Sequence, residues 1–343
     1  MDSETRMGPG RWSDRTLTNL RAGRLEACEK DLAGLGGSGL FEEQTTDLDA
    51  ERLFQNSWMK WEEKIPRLHK VEEMRAQVLG QFPQEFALLS PEEHDLVLKM
   101  SVIGGEYPLY DVNDLVPARS LVRRLWCRMH PVRSNWIVLP RALGIFALAT
   151  AVSEEAKKTK EIVDETIETV ENTLYLVGAM AADTVIRDLG FKLQHSSAAG
   201  KEHLYQRLVL SAFDTITDLE GRLVLIHPGL ADPYGFLERP ERRRIGQNPQ
   251  RMAEIYTTLM DVEDPLYDRM LGSIQGLTRP EAAAEDTVED LMLLAKQGAP
   301  LSEMRDVLSR RIICMPTEEM ELALAEIRKM TPGWLTLKMG RVQ

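Results

Sequence analysis

PRALGIFALATAVSEEAKKTKEIVDETIETVENTLYLVGAMAADTVIRDLG, from Pro140 to Gly190, decides the fold class. After an apolar position at Ala156, residues Val163, Ile167, Val170, Leu174, Val177 and Ala181 step by four and three, the spacing of one apolar seam on an α-helix. Most other positions from Ser153 to Asn172 are charged or Thr, with acids at Glu154, Glu155, Glu161, Asp164, Glu165, Glu168 and Glu171. One face is therefore wet and the other buried. Ala142 to Ala149 is apolar all round, and Leu176 to Ala182 becomes so again, as expected of helix ends that run through a core. Pro140 suits a first helical turn and Gly190 a stop. The expectation is a central helix, or two broken near Gly144 or Gly178, on which other helices pack. The seam Val163, Ile167, Val170, Leu174 and Val177 covers about three heptads, the lower limit for a coiled coil, so it serves either a helix packed in its own domain or an oligomerisation contact.

Working outward, the fold class read from the sequence is mainly α and multi-helical, with two lobes around a long central helix and at most a small β-element. A chain of 343 residues with 43% apolar content can fill two cores of ordinary size. Its net charge of −12 argues against indiscriminate nucleic-acid binding, which is driven by neutralising phosphates. Cys28, Cys127 and Cys314 are odd in number and far apart, so they predict neither a disulfide framework nor a zinc site but a reducing compartment. The start MDSETRMGPGRW lacks the apolar core of a secretory signal, and the longest apolar run, Ala142 to Val152, is short of the roughly 20 residues of a membrane span. Cytosolic or nuclear residence without a membrane is the expectation.

Five segments follow from composition: a Gly-rich arm at 1–46, an N-terminal helical lobe with the central helix at 47–190, a mixed segment at 191–250, a lobe of short helices at 251–333, and a tail at 334–343. In the arm only Ser13 to Leu35 suits a helix. In the N-terminal lobe Leu53, Phe54, Trp58, Trp61, Ile65 and Leu68 step by three and four, Pro66 starts a second helix through Leu79, and the tryptophans are core anchors. Ser90-Pro91-Glu92-Glu93 predicts a helix start, Gly104-Gly105 its end, and Tyr107 to Pro117 a loop. In the mixed segment Lys201 to Leu219 is expected as a helix, Arg222 to Ile226 as the strand, and Leu230 to Gln250 as a long loop. Helices are expected at Gln250–Val262, Pro265–Ile274, Pro280–Gln297 behind a Thr278-Arg279-Pro280-Glu281 capping box, Leu301–Ile313 and Thr317–Met330. The tail alternates Leu335, Leu337 and Met339, a short strand or an exchanged arm.

Leu115 to Ser153 contains no acidic residue, and its cations are all arginine apart from His130: Arg119, Arg123, Arg124, Arg128, Arg133 and Arg141, interleaved with Trp126 and Trp136. Arg119 to His130 is expected to be partly helical. A second cluster holds Arg239, Arg242, Arg243 and Arg244. The planar guanidinium fork suits phosphate and stacks on bases. Arg119, Arg123, Arg124, Arg128, Arg133, Arg242, Arg243 and Arg244 are therefore the candidate nucleic-acid-binding residues. The competing reading pairs these arginines internally with acids of the central helix such as Glu154, Glu161 and Glu168.

No phosphate loop, nucleophile elbow, His-Glu-x-x-His or Cys-x-x-Cys motif is present, so no catalytic residue, metal or cofactor is assigned. Scattered histidines, the acid clusters Asp47/Asp49/Glu51 and Asp261/Glu263/Asp264/Asp268, and Gly34 to Gly39 are better explained by helix caps, solvated faces and a linker. The expectation is a non-enzymatic helical assembly protein and homo-oligomer, most concretely a nucleocapsid-like one binding RNA backbone. Two alternatives are an adaptor that oligomerises through the central helix and meets an acidic partner, and a helical enzyme of unrecognised type.

Overall fold

A computed structural model describes residues 12–34, 39–58, 70–196, 198–238, 244–245, 249–334 and 336–337. The fold is mainly α, with small sheets of short strands. Helices α1 (Leu17–Gly34) and α2 (Asp47–Gln55) come first, α2 starting at a reciprocal cap between Thr46 and Asp49. Next are α3 (Lys70–Ala87) and α4 (Pro91–Ile103). Ser90 and Glu93 form the predicted capping box of α4, and Gly104 ends it in the left-handed conformation. Strands β1 (Glu106–Pro108), β2 (Arg128–Met129) and β3 (Trp136–Val138) form an antiparallel sheet, with α5 (Leu115–Arg123) between the first two.

The Pro140 to Gly190 stretch holds α6 (Arg141–Ala151), α7 (Glu154–Val177), strand β4 (Ala179–Ala181) and α8 (Ala182–Lys192). After α9 (Glu202–Ala212) come β5 (Asp214–Thr217) and β6 (Leu223–Ile226), which form a second antiparallel sheet with β4, ordered β4-β6-β5. The short α10 (Pro233–Leu237) precedes β7 (Arg244–Ile245). The C-terminal helices are α11 (Pro249–Ile274), α12 (Ala284–Gln297), α13 (Leu301–Arg311) and α14 (Glu318–Met330), and β8 (Thr336–Leu337) pairs in parallel with β7.

Several expectations require correction. The central stretch is three helices: Ser153 Oγ accepts from the Ala156 N–H and starts α7 afresh, while Gly178, at φ 74°, provides the break after Val177. Gly144 lies inside α6 and breaks nothing. The helix expected from Lys201 to Leu219 stops at Ala212, because β-branched Thr215, Ile216 and Thr217 pair with β6 across a turn in which Asp218 Oδ1 accepts from Glu220 and Arg222. The expected loops at Tyr107–Pro117 and Leu230–Gln250 contain β1, the start of α5, and α10 capped by Asp232. The separate helices expected around Pro265 are one, α11, with that proline inside it. Thr278 caps no helix; it bridges to Ile312, and α12 begins after Ala283 without a side-chain cap.

Two compact units emerge, one of Arg24–Glu168 with Asp183–Ala212, the other of Met1–Gly23, Thr169–Ala182 and Phe213–Gln343. The first is built on α3, α4, α5 and α6, whose Phe82, Phe86, Val97, Met100, Leu121 and Leu143 join Trp126 and Ile137 in one core. Leu125, two residues past the end of α5, sits at φ 63°, a strained conformation for a branched side chain, and Trp126 packs inward onto Phe82 at a 4.3 Å centroid distance. In the second unit α11 to α14 bury Met270, Val288, Leu291, Met304, Leu308, Leu324 and Ile327 together. A satellite core joins Ala179 of β4 and Val224 of β6 to Leu17, Phe236, Leu293 and Trp334. No helix among the described residues is long and apolar enough to cross a membrane.

Candidate interaction surface

Five of the six arginines of the acid-free stretch, all but Arg141, meet carboxylates within their own unit. Arg119 Nε and Arg123 Nη2 reach Asp31 Oδ2 at 2.5 and 2.7 Å. Burial pushes the Asp31 carboxyl up, but the hydrogen bonds and charges of the two guanidinium groups outweigh it and hold that carboxyl below its ordinary value. Arg128 pairs with Glu42 at 2.5 Å, and Arg133 with Glu106 at 3.2 Å on the open surface. The partners are thus Asp31, Glu42 and Glu106 rather than Glu154, Glu161 or Glu168.

Arg124 is the extreme case. Its Nη1 donates to Glu85 Oε1 at 2.5 Å and its Nε to Glu93 Oε1 at 3.3 Å, with 1% of the side chain exposed. Arg207 donates to both Glu85 oxygens at 3.0 Å, and Ser120 and Ser211 donate to Glu93. Burial disfavours the Arg124 charge, and Glu93 and Glu85 more than restore it. Two guanidinium groups against two carboxylates leave this cluster neutral, and its fork geometry is fully used inside the protein. Arg239, Arg242 and Arg243 lie outside the described residues, and of Arg244 only the backbone, in β7, is described.

The seam Val163, Ile167, Val170, Leu174 and Val177 is buried in the chain's own fold. The exposed seam lies on α6 instead. Leu143, Gly144 and Ala147 face inward, and Gly144 brings the α6 backbone against Ser101 of α4, where an added methyl would sit 3.5–3.6 Å away. Turned outward are Ala142, Ile145, Ala149 and Val152, at steps of three, four and three, flanked by Phe146 and Leu148. Ile145 is 59% exposed, Phe146 44% and Val152 72%. Val102 and Ile103, which follow Ser101, are exposed as well. These side chains make α6 the helix with an apolar outward face next to the exposed end of α4.

This face is what the sequence reading missed. An all-round apolar octapeptide implies burial on every side, whereas the 3-4-3 step of Ala142, Ile145, Ala149 and Val152 sets a second seam apart from Leu143, Gly144 and Ala147. At the ends of α6 the charges differ in sign. Arg141 stands exposed at an N-terminus whose cap, Pro140, makes no side-chain bond, and the first turn of α7 carries Glu154 and Glu155. A cation there opposes the helix's own dipole and gains from an incoming carboxylate.

Among the described residues no group of three or more His, Cys, Asp and Glu is placed to hold a metal ion. No protein-family model matches the chain, and no curated protein or solved structure is similar to it.

Proposed function

We propose that this is a non-enzymatic helical assembly protein that associates with a second copy of itself through the outward face of α6. The observation that carries it is the uncovered 3-4-3 seam of Ala142, Ile145, Ala149 and Val152 on a helix whose opposite face is packed. The face contains no charge, so it is complementary to itself, as a two-fold contact requires. Antiparallel pairing directs Arg141 of each copy toward the acidic first turn of α7 in the other, where Glu154, held at 2.8 Å by Lys157, remains exposed. Alanine at two of the four seam positions lets the helices approach closely. The seam is only 11 residues of helix plus Val152, so the dissociation constant expected is on the order of micromolar.

The RNA-binding form of this reading has narrower support, because Arg119, Arg123, Arg124 and Arg128 each already engage a carboxylate. Cross-linking tests the proposal directly. With the exposed Cys314 replaced by Ser, and Cys28 and Cys127 buried, an Ala149→Cys variant treated with a short bis-maleimide should yield covalent dimers. A Leu219→Cys control, 85% exposed on a distant turn of the sequence, should not. Equal cross-linking of both variants, or none in either, overturns it.

A further inference from the structure

In the second unit, residues of α1, α7, α11 and α12, with His227 and Pro228 after β6, line an open pocket of about 300 Å³. That is the lower end of the range for small-molecule sites. Its walls are aromatic and thioether, from Tyr175, Tyr267, Met260 and Met292, and three carboxylates open onto it, Glu263, Asp264 and Glu289.

The three acids differ in their state of satisfaction. Glu263 is 2% exposed; its Oε1 accepts from Lys296 Nζ at 2.7 Å and its Oε2 from the Tyr175 hydroxyl at 2.5 Å. It is a finished part of the wall, matched in charge by Lys296, whose ammonium sits 4.3 Å from the Tyr175 ring centroid. Glu289 is different. Arg21, the one Lys or Arg in the lining, stands 3.8 Å from Glu289 and 3.7 Å from Asp286, an ion pair with each but beyond hydrogen-bond reach of either. Burial, with Asp286 and Asp290 nearby, holds the Glu289 carboxyl above its ordinary value against the pull of Arg21. With Glu263 neutralised, Asp264 and Glu289 face Arg21 alone, and the lining is net negative. Glu289, with 43% of its side chain exposed, is open to solvent and to a ligand. An anionic ligand would meet two carboxylates against one arginine, whereas a cation would be drawn to them, with its apolar body against the tyrosine and methionine walls.

We propose that this pocket is a binding site for a small organic cation, a primary ammonium carried on a short aromatic or apolar body, with the ammonium at Glu289 and the body against Tyr267, Met260 and Met292. Arg21 competes with the ligand for Glu289.

Phenethylamine serves as the probe on the full chain, with phenethyl alcohol and phenylacetate as the neutral and anionic counterparts. Calorimetry reads affinity, and 13C-methyl spectra read the resonances of Met260 and Met292, assigned by leucine replacement. Phenethylamine should bind and shift both methyls, at least about tenfold more tightly than either counterpart. Glu289→Gln should weaken it by about tenfold or more, and Arg21→Gln should tighten it, each variant melting within a few degrees of the native protein. Absence of binding to both the native protein and Arg21→Gln overturns the site. So does equal binding of the alcohol or the acid, or an affinity unmoved by Glu289→Gln.

Discussion

Arg124 Nη1 lies 2.5 Å from Glu85 Oε1, with 1% and 3% of the two side chains exposed. Removing one member of such a pair strands the other charge away from water. Arg124→Ala should therefore destabilise the protein by about 3–5 kcal/mol, whereas Arg133→Ala, at a pair with both side chains about half exposed, should cost no more than about 1 kcal/mol. Urea denaturation of the two variants checks the contrast.

Arg119 and Arg123 share one acceptor, Asp31 Oδ2, which fixes how they should respond as a pair. The double Ala variant should melt at lower temperature and leave the slope of log affinity for single-stranded RNA against log salt unchanged. A slope flattened by almost two units, with the melting temperature preserved, would instead assign both to phosphate.

His94 packs against Phe86 with ring centroids 4.6 Å apart and the planes tilted by 39°, and its charge is opposed first by burial and then by Lys160, while Asp164 and Asp95 act the other way. Its folded value lies below its ordinary one, so the unfolded chain binds the extra proton first. Stability from this residue is complete above about pH 6.5 and declines as pH falls from there through the lowered folded value. In His94→Gln that part of the decline in melting temperature on acidification should vanish.

Gly178, at φ 74°, ends α7 where a Cβ would stand 3.0 Å from the rings of Phe236 and Trp334. Gly178→Ala combines left-handed strain with a clash against two packed rings, and should cost about 2–4 kcal/mol by equilibrium denaturation. Gly276→Ala meets nothing within 4 Å at a similar φ and should cost only the backbone strain of about 1–2 kcal/mol.

The long seam of α7 and the capping box of α4 were legible from sequence, whereas the Asp232 cap of the short α10 was not. Ser90 caps α4 as the residues imply, α14 falls within the range expected for it, and the inward set Val163 to Val177 is buried. What escaped was short or tertiary. Strands of two to four residues, such as β2 and β5, show too little alternation to register against a helical background. Pro265 continues α11 because a proline costs one hydrogen bond, which helix packing can offset. The arginine partners were invisible for another reason: Arg124 and Glu85 are 39 residues apart, and Arg207 and Glu85 are 122 apart. A local excess of one charge sign does not reveal the acids that folding brings to it. The same limit hid the α6 face, since apolar residues along a helix do not say which neighbours arrive to cover them.

Sedimentation velocity on the native chain and on Phe146→Glu, across about 1–100 micromolar, tests self-association most directly. The native protein should move from monomer toward dimer over that range. Phe146→Glu should stay monomeric throughout with its melting temperature unchanged, since the replaced side chain is 44% exposed and supports no core. A native protein that is monomeric at every concentration, or a Phe146→Glu variant that dimerises as well as the native one, would contradict the account.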